Sequence, residues 1–122
     1  MDARSRKQIG DDAEQAVADY LVRNGAEIVA RNLRIGALEI DIVARHETLI
    51  LVVEVRCRSD RSWTSGFSSI DGQKRMRLRR AGERLWNRRY RRDPTVERLR
   101  FDVASVTFEG DSPQIEYVSG AF

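Results

Sequence analysis

Five consecutive apolar residues constrain the fold of this chain more than any other segment: Leu49-Ile50-Leu51-Val52-Val53. An unbroken run of aliphatic residues of this length is typical of a β-strand that is buried on both faces. We predict that the strand extends from Leu49 to Arg56. Glu54 follows the run directly, so we expect its carboxylate at the edge of the core and not on an open surface.

The segment before this run predicts a second strand, Leu38–Ala44, which is joined to the first by Arg45–Thr48. Four residues are an ordinary length for a β-hairpin loop. Closing the hairpin there predicts that Asp41 lies opposite Val52. The two strands would therefore pair antiparallel, with acidic residues on both of them.

Acidic residues meet on one face of this predicted hairpin. The same pairing places Glu39 opposite Glu54 and, because side chains alternate along a strand, Asp41 and Arg56 project from that face as well. Carboxylates so close together repel one another unless a cation lies between them, and a divalent metal is the usual candidate. Such a site suits a metal-dependent phosphodiesterase. The alternative for each residue is a solvated carboxylate or an ordinary salt bridge.

The basic residues are concentrated in one segment. The net charge is +3, yet Gln73–Arg92 contains ten basic residues and a single acid, Glu83. Lys7 and Lys74 are the only lysines, and arginine is the side chain suited to bidentate contacts with phosphate. We therefore expect a nucleic-acid partner. The alternatives are a solvated helix face, anionic lipid or an acidic protein. The residues expected to bind nucleic acid are Arg75, Arg79, Arg80, Arg84 and Arg88.

Length and composition exclude several other classes of protein. The chain has 122 residues, of which 41% are apolar and 34% charged, so we expect one domain over residues 1–122. Its only cysteine, Cys57, excludes an intramolecular disulfide and a cysteine-based zinc site. A lone histidine, His46, excludes histidine-relay chemistry. No apolar run is long enough to span a membrane, no signal sequence is visible, and we expect a cytoplasmic protein.

The remaining elements are predicted from hydrophobic periodicity and turn residues. Two helices are expected, with Glu14 at the border of the buried face of the first and Lys74 facing inward on the second. The segment Cys57–Gly72 reads either as a mobile loop that closes over a substrate or as an ordinary surface connection. A short mixed sheet with a helix on either side follows from this order. The predicted ranges are helices Lys7–Asn24 and Gln73–Tyr90, and strands Ala26–Leu33, Leu99–Phe108 and Gln114–Val118.

Short motifs spread over nearly the whole chain resemble, in content and order, the YraN family of small bacterial proteins. That family is similar in turn to the PD-(D/E)XK nucleases, and among them to archaeal-type Holliday-junction resolvases. The resemblance implies an α/β, restriction-endonuclease-like fold with a mixed central sheet flanked by helices. The motifs are Gly10-x-x-Ala13-Glu14, Tyr20-Leu21, Arg31-Asn32, Glu39-Ile40-Asp41, Val53-Glu54-Val55-Arg56-x-Arg58, Lys74 with Arg77-Leu78, Arg100-Phe101-Asp102-Val103 and Ala121-Phe122.

The same resemblance implies roles for individual residues. Asp41 and Glu54, with the main-chain carbonyl of Val55, would hold Mg²⁺ or Mn²⁺. Glu14 would be the acid contributed by the first helix, either as a ligand to a second metal or as an orienting acid. Arg56 stands where these nucleases usually carry a lysine, and Lys74 is the alternative source of that lysine. Arginine cannot be deprotonated in a protein, although it can still stabilise negative charge.

The implied activity is metal-dependent cleavage of phosphodiester bonds in DNA, branched DNA included. Branched substrates usually demand two symmetric sites, so a homodimer is one expected arrangement. The first alternative is a nucleic-acid-binding protein that keeps the fold without catalysis, because arginine replaces lysine at position 56. The second alternative is an interaction module that binds an acidic protein through the basic helix.

Overall fold

The computed structural model describes residues 4–57 and 71–122, so most of the loop predicted for Cys57–Gly72 lies outside the described residues. Within them, five strands form one mixed sheet in the order β1-β2-β3-β4-β5, in which only β3 and β4 pair in parallel. The predicted α/β class, with a restriction-endonuclease-like sheet flanked by helices, is confirmed. The elements are α1 (Arg6–Arg23), β1 (Glu27–Ile35), β2 (Leu38–His46), β3 (Leu49–Cys57), α2 (Gly72–Leu85), β4 (Arg98–Glu109) and β5 (Ser112–Val118).

Strand β3 forms the centre of the core, as its apolar run predicts. Leu51 and Val53 pack on one face against α1, while Ile50 and Val52 pack on the other face in the cluster that contains Ala81 and Leu85 of α2. These four residues of β3 are all buried. The two helices therefore cover opposite faces of the sheet. Neither described helix is long and apolar enough to cross a membrane.

The hairpin between β2 and β3 is tighter than predicted. Strand β2 continues to His46, which pairs with Leu49, so the turn contains only Glu47 and Thr48. Glu47 has a left-handed backbone (φ 56°), a conformation that a turn of this length uses. The four-residue loop expected at Arg45–Thr48 is therefore wrong, because β2 stays paired with β3 over two further residues, Arg45 and His46.

The shorter turn changes the register between these strands. Val52 pairs with Val43 and not with Asp41, so the predicted register is wrong by two residues. Continuing the observed register places Asp41 beside Glu54, where Glu39 was expected. Because side chains alternate with a period of two, a shift of two residues leaves the side chains of the paired residues on their predicted faces.

The alternation breaks at Asp41, because Ile40 packs in the cluster on the α2 side and Ile42 in the cluster on the α1 side. Glu39 therefore lies on the α1 side with Glu14, and not on the face of Glu54 as predicted.

The periodicity of the sequence predicts an α-helix that extends to Tyr90, but α2 does not continue that far. It ends at Leu85, and Trp86–Tyr90 forms a π-helical turn closed by a hydrogen bond from the Arg91 N–H to the Trp86 carbonyl (2.8 Å). In an α-helix, a side chain five residues after Leu85 would point about 140° away from it. The wider π-helical turn instead keeps Tyr90 in the core beside Leu85.

A buried carboxylate joins β4, β5 and the last residues of the chain. Asp102 is fully buried and accepts hydrogen bonds from Arg100 Nε (2.8 Å), Arg100 Nη2 (3.0 Å), the Tyr117 hydroxyl (2.5 Å) and the Gly120 N–H (2.9 Å). Burial and the hydrogen bond to Asp102 raise the pKa of Tyr117 above its ordinary value. Next along β4, the Phe101 ring stacks on Phe122 with centroids 5.2 Å apart. The sequence analysis assigned no role to Asp102, whose four hydrogen bonds show a structural one.

Candidate active site

The main-chain pairing of β2 with β3 stops at Ile42 and Val53, and a side chain takes over beyond that point. The Val55 N–H donates to Asp41 Oδ2 over 2.9 Å. Backbone N–H groups in the protein interior need an acceptor, and here a carboxylate replaces the carbonyl of a neighbouring strand. Asp41 is therefore held in the gap between the strands, next to Glu54.

Glu54 is a buried acid in contact with two cations that are more open to solvent. Its side chain is 5% exposed, whereas those of Lys74 and Arg56 are 40% and 35% exposed. Lys74 Nζ lies 3.2 Å from Glu54 Oε1, and Arg56 Nη1 lies 3.9 Å from the same oxygen. Lys74 makes the closer contact, although it comes from the first turn of α2 and Arg56 from the same strand as Glu54.

Asn32 links two further acids at this end of the sheet. With its amide in the orientation that satisfies both of its ends, Asn32 Nδ2 donates to Glu14 Oε1 (2.9 Å) and to Glu39 Oε1 (3.2 Å). Its backbone is left-handed (φ 51°) although it lies within β1. The sequence analysis gave Asn32 no role. Asparagine inside a strand pattern is the one available signal, because this residue tolerates a left-handed backbone.

Two helices on opposite faces of the sheet bring side chains to this gap. Glu14 belongs to α1 and is half-buried, close enough for the charge of Asp41 to act on its pKa. Lys74 belongs to α2 and contacts Glu54 directly. The structure thus brings together the five residues that were predicted to be catalytic: Glu14, Asp41, Glu54, Arg56 and Lys74.

The nearby positive charge does not offset the effects of burial and mutual repulsion on Glu54 and Glu14. Burial and the neighbouring charge of Asp41 raise the pKa of Glu54 to about 7, against the opposing effect of Lys74. Burial and Asp41 also raise the pKa of Glu14, while the hydrogen bond from Asn32 and the charge of Arg31 lower it. Two carboxyls with raised pKa values beside a third are typical of a site that binds a cation or transfers protons.

The donor atoms fit a hard divalent cation that shares its coordination with a substrate. Within residues 4–57 and 71–122, no three Asp, Glu, His or Cys side chains come together as a complete ligand set. Asp41 and Glu54 nevertheless offer two carboxylates on neighbouring strands, and Asp41 holds the main chain at Val55 beside them. Mg²⁺ commonly binds through one or two carboxylates and completes its shell with water and phosphate oxygens.

A basic surface begins at this site and follows α2 away from it. Four of the arginines predicted to bind nucleic acid, Arg79, Arg80, Arg84 and Arg88, are exposed. The fifth, Arg75, is half-buried. Because Lys74 lies in the first turn of the helix, the exposed arginines lie progressively further from the acids.

The raised pKa of Glu54 predicts how the metal-free protein responds to pH. A carboxyl that holds its proton more tightly when folded loses stabilising energy as the pH rises from its unfolded pKa, near 4.5, to its folded pKa, about 7. We expect Glu54→Gln to raise the free energy of unfolding by roughly 1 to 3 kcal/mol at pH 8, and by much less at pH 5. Urea unfolding in EDTA at both pH values measures the difference.

Glu109→Gln is the matched control for this experiment. Glu109 is an exposed carboxyl at the end of β4, and its replacement should change stability by less than about 0.5 kcal/mol at either pH. An equal effect of Glu54→Gln at pH 5 and pH 8 would show that Glu54 carries no excess repulsion.

Comparisons with known proteins place the chain in a family. Residues 13–106 match the model of "Uncharacterised protein family UPF0102". A UPF0102 protein of Sorangium cellulosum is 49% identical over 121 residues, covering 98% of this chain and 84% of its own. A UPF0102 protein of Parafrankia sp. is 39% identical over 120 residues, covering 98% and 99%. One from Syntrophotalea carbinolica is 36% identical over 119 residues, covering 96% and 93%. The chain is therefore a member of the UPF0102 family, the YraN family that its motifs resemble.

Proposed function

We propose that this protein is a metal-dependent endonuclease that hydrolyses phosphodiester bonds in DNA, branched DNA included. One observation carries the proposal: Asp41 and the buried Glu54 meet where β2 and β3 separate, with Lys74 Nζ 3.2 Å from Glu54 Oε1. Acids held against their mutual repulsion beside a lysine form a site for a cation and a phosphate together. Cleavage of both strands of a branched substrate would require two such sites, which a homodimer supplies.

Asp41 and Glu54 would hold Mg²⁺ or Mn²⁺, with the main-chain carbonyl of Val55 as a further ligand. Such an ion neutralises charge on the scissile phosphate and lowers the pKa of a bound water. Asp41 is suited to this task because its hydrogen bond from the Val55 N–H fixes the direction of its carboxylate. Burial keeps Glu54 from turning into solvent.

The two cations beside Glu54 would act on the phosphate and on the attacking water. Lys74 and Arg56 both reach Glu54 Oε1 from partly exposed positions, so each can turn toward a bound phosphate without leaving the site. Positive groups aimed at the developing charge stabilise the transition state of phosphoryl transfer. A lysine side chain can also lose a proton in a suitable environment, whereas an arginine side chain cannot. Lys74 is therefore the better candidate for the residue that positions the water.

Glu14 would act through Asn32 as an orienting acid. Asn32 joins Glu14 to Glu39, so a movement of either acid is transmitted to the other. The charge of Asp41 already raises the pKa of Glu14, and a cation bound at Asp41 would reverse that effect. Glu14 thus provides negative charge behind the two proposed metal ligands.

The second candidate function is nucleic-acid binding without cleavage. It is favoured by one observation, the arginine at position 56 where similar nucleases carry lysine. The basic surface of α2 would serve this function equally well. Metal-dependent cleavage distinguishes the two candidates, and a steep salt dependence of nucleic-acid affinity distinguishes both from a module for acidic proteins.

Replacement of Asp41 should separate cleavage from binding. We expect Asp41→Asn to lower Mn²⁺-dependent cleavage of a four-way DNA junction by at least about 100-fold, because a ligand to the metal is lost. Affinity for the same DNA in EDTA should stay within about twofold, since the arginines of α2 are untouched. Asp11→Asn, at an exposed acid on α1, is the control and should cleave normally. Normal cleavage by Asp41→Asn would move the site elsewhere.

A direct comparison of variants can show whether Arg56 or Lys74 positions the attacking water. Because Lys74 makes the closer contact with Glu54, we expect Lys74→Ala to lower cleavage further than Arg56→Ala, by about tenfold or more. Arg56→Lys should leave the rate within a few-fold or raise it. Arg77→Ala, an exposed change on the same helix, controls for lost charge. Cleavage that appears only in Arg56→Lys would identify the natural protein as the non-cleaving binder.

The arginines of α2 should set the salt dependence of binding. Replacing Arg79, Arg80 and Arg84 together by Gln should reduce the slope of log K against log salt by roughly 2 to 3, at about 0.9 for each phosphate contact. The control replaces three exposed arginines elsewhere, Arg6, Arg23 and Arg98, and should leave the slope unchanged. Equal losses from both triple variants would show that binding has no preferred surface.

A further inference from the structure

An aromatic groove lies between the end of α2 and strand β4, outside the acidic site. Trp86 and Asn87 of the π-helical turn form one wall together with Glu83 of α2, Leu99 and Phe101 of β4 form the other, and Gly82 lies at its base. Its volume is about 290 Å³. Trp86, Leu99 and Phe101 are half-buried and Asn87 is exposed, so both walls can be reached from solvent. The function proposed above makes no use of this groove.

The groove depends on Gly82. A Cβ at this position would lie 2.5 Å from the Phe101 ring, so only glycine lets that ring rest against the helix. Phe101 also stacks on Phe122, and the Arg79 guanidinium lies 5.8 Å from its centroid. The ring is thus fixed on one side of the groove. On the other side, the π-helical turn directs Trp86 and Asn87 toward the same space.

The charge around the groove indicates what it binds. Its helical wall belongs to the segment Gln73–Arg92, in which Glu83, part of that wall, is the only acid beside ten basic residues. Arg88 and Arg89 follow Trp86 on the π-helical turn, and both are exposed. A flat apolar group attached to an anionic backbone complements an aromatic groove in a basic surface, which favours a nucleotide over an apolar peptide.

The groove is close enough to the acids to hold part of the same nucleic acid. Phe101 pairs with Val52 and Val103 pairs with Glu54, so Phe101 lies about 8 Å from Glu54 across the sheet. Trp86 follows Lys74 by twelve residues, about 18 Å along the helix. At about 3.4 Å per nucleotide, roughly three to five nucleotides of one strand would extend from the acids to the groove.

We propose that this groove binds an unpaired nucleobase, stacked on Trp86 and contacted at its edge by the Asn87 amide. The substrate class is then nucleic acid with single-stranded nucleotides a few positions from the cleaved phosphate. A base in an intact duplex stays stacked in its helix and cannot enter. The link to cleavage rests on the proposed endonuclease function, whereas base binding itself does not.

Tryptophan fluorescence tests base binding without replacing any of the groove residues named above. The chain has two tryptophans, so Trp63→Phe leaves Trp86 as the only one. Titration in EDTA with a short oligothymidylate should quench its emission, because a base stacks on the indole. A blunt duplex with the same number of phosphates should bind with little quenching. Equal quenching by both, or by neither, would overturn the proposal.

Substitutions at Trp86 test the energetic contribution. Trp86→Ala should weaken binding of the oligothymidylate by about 5- to 100-fold, the range for loss of one stacking contact, and binding of the duplex by less than about twofold. Trp86→Phe should retain most of the affinity because a ring remains. Met76→Ala, at an exposed apolar residue of the same helix, is the control and should change neither. Equal losses on both DNAs, or no loss on either, would overturn the proposal.

Failure of the groove proposal can be distinguished from failure of the endonuclease proposal. Both binding measurements are made in EDTA, where no metal-dependent cleavage occurs, and thermal unfolding of each variant shows that it is folded. Failure of the wild-type protein to cut any DNA would overturn only the endonuclease. Loss of the preference for single strands would overturn only the groove.

Discussion

The hydrogen bond from the Val55 N–H to Asp41 determines the candidate site. It replaces a rung of the β2–β3 ladder, so the two strands separate while one acid is bound to the main chain that follows the other. The acids cannot relax apart without breaking the hydrogen bond of the part-buried Val55 N–H. Burial, and the charge of Asp41 that this restraint keeps close, raise the pKa of Glu54.

The parallel pairing of β3 with β4 explains why Lys74 reaches this gap. A parallel neighbour requires the chain to cross back over the sheet, and α2 makes that crossing. The helix must therefore begin near the end of β3, where Glu54 and Arg56 lie, and end near the start of β4. Its first turn supplies the cation nearest Glu54, and its later turns carry the arginines away from the acids. A lysine distant in sequence thereby occupies the space beside the strand residue Arg56.

Some of this arrangement is predictable from the sequence because it depends on the alternation of side chains along strands and on the periodicity of helices. The apolar run before Glu54 predicts a strand buried on both faces, and alternation places Asp41 and Glu54 on one face whichever even register the strands adopt. Helical periodicity likewise directs Lys74 toward the sheet. The register of β2 and β3 could not be predicted from the sequence, since it depends on whether the hairpin turn contains two residues or four.

Other features depend on contacts between distant segments, which no local pattern contains. Asn32 is placed by a left-handed kink in β1 and meets acids from α1 and β2. The π-helical turn exists because Tyr90 is better packed in the core than in solvent. The four hydrogen bonds of Asp102 come from β4, β5 and the residues after β5. Each shows a tertiary contact overriding a local preference.

Strand β4 connects these features through its alternation of side chains. Asp102 points toward the α1 side, where its buried hydrogen bonds fix the strand against β5 and the final residues. Phe101, its neighbour, therefore points to the α2 side and is held against Gly82 at the base of the groove. A polar network on one face thus sets the position of an aromatic wall on the other. Because β4 also flanks β3 beside Glu54, the same strand fixes the distance between the groove and the acids.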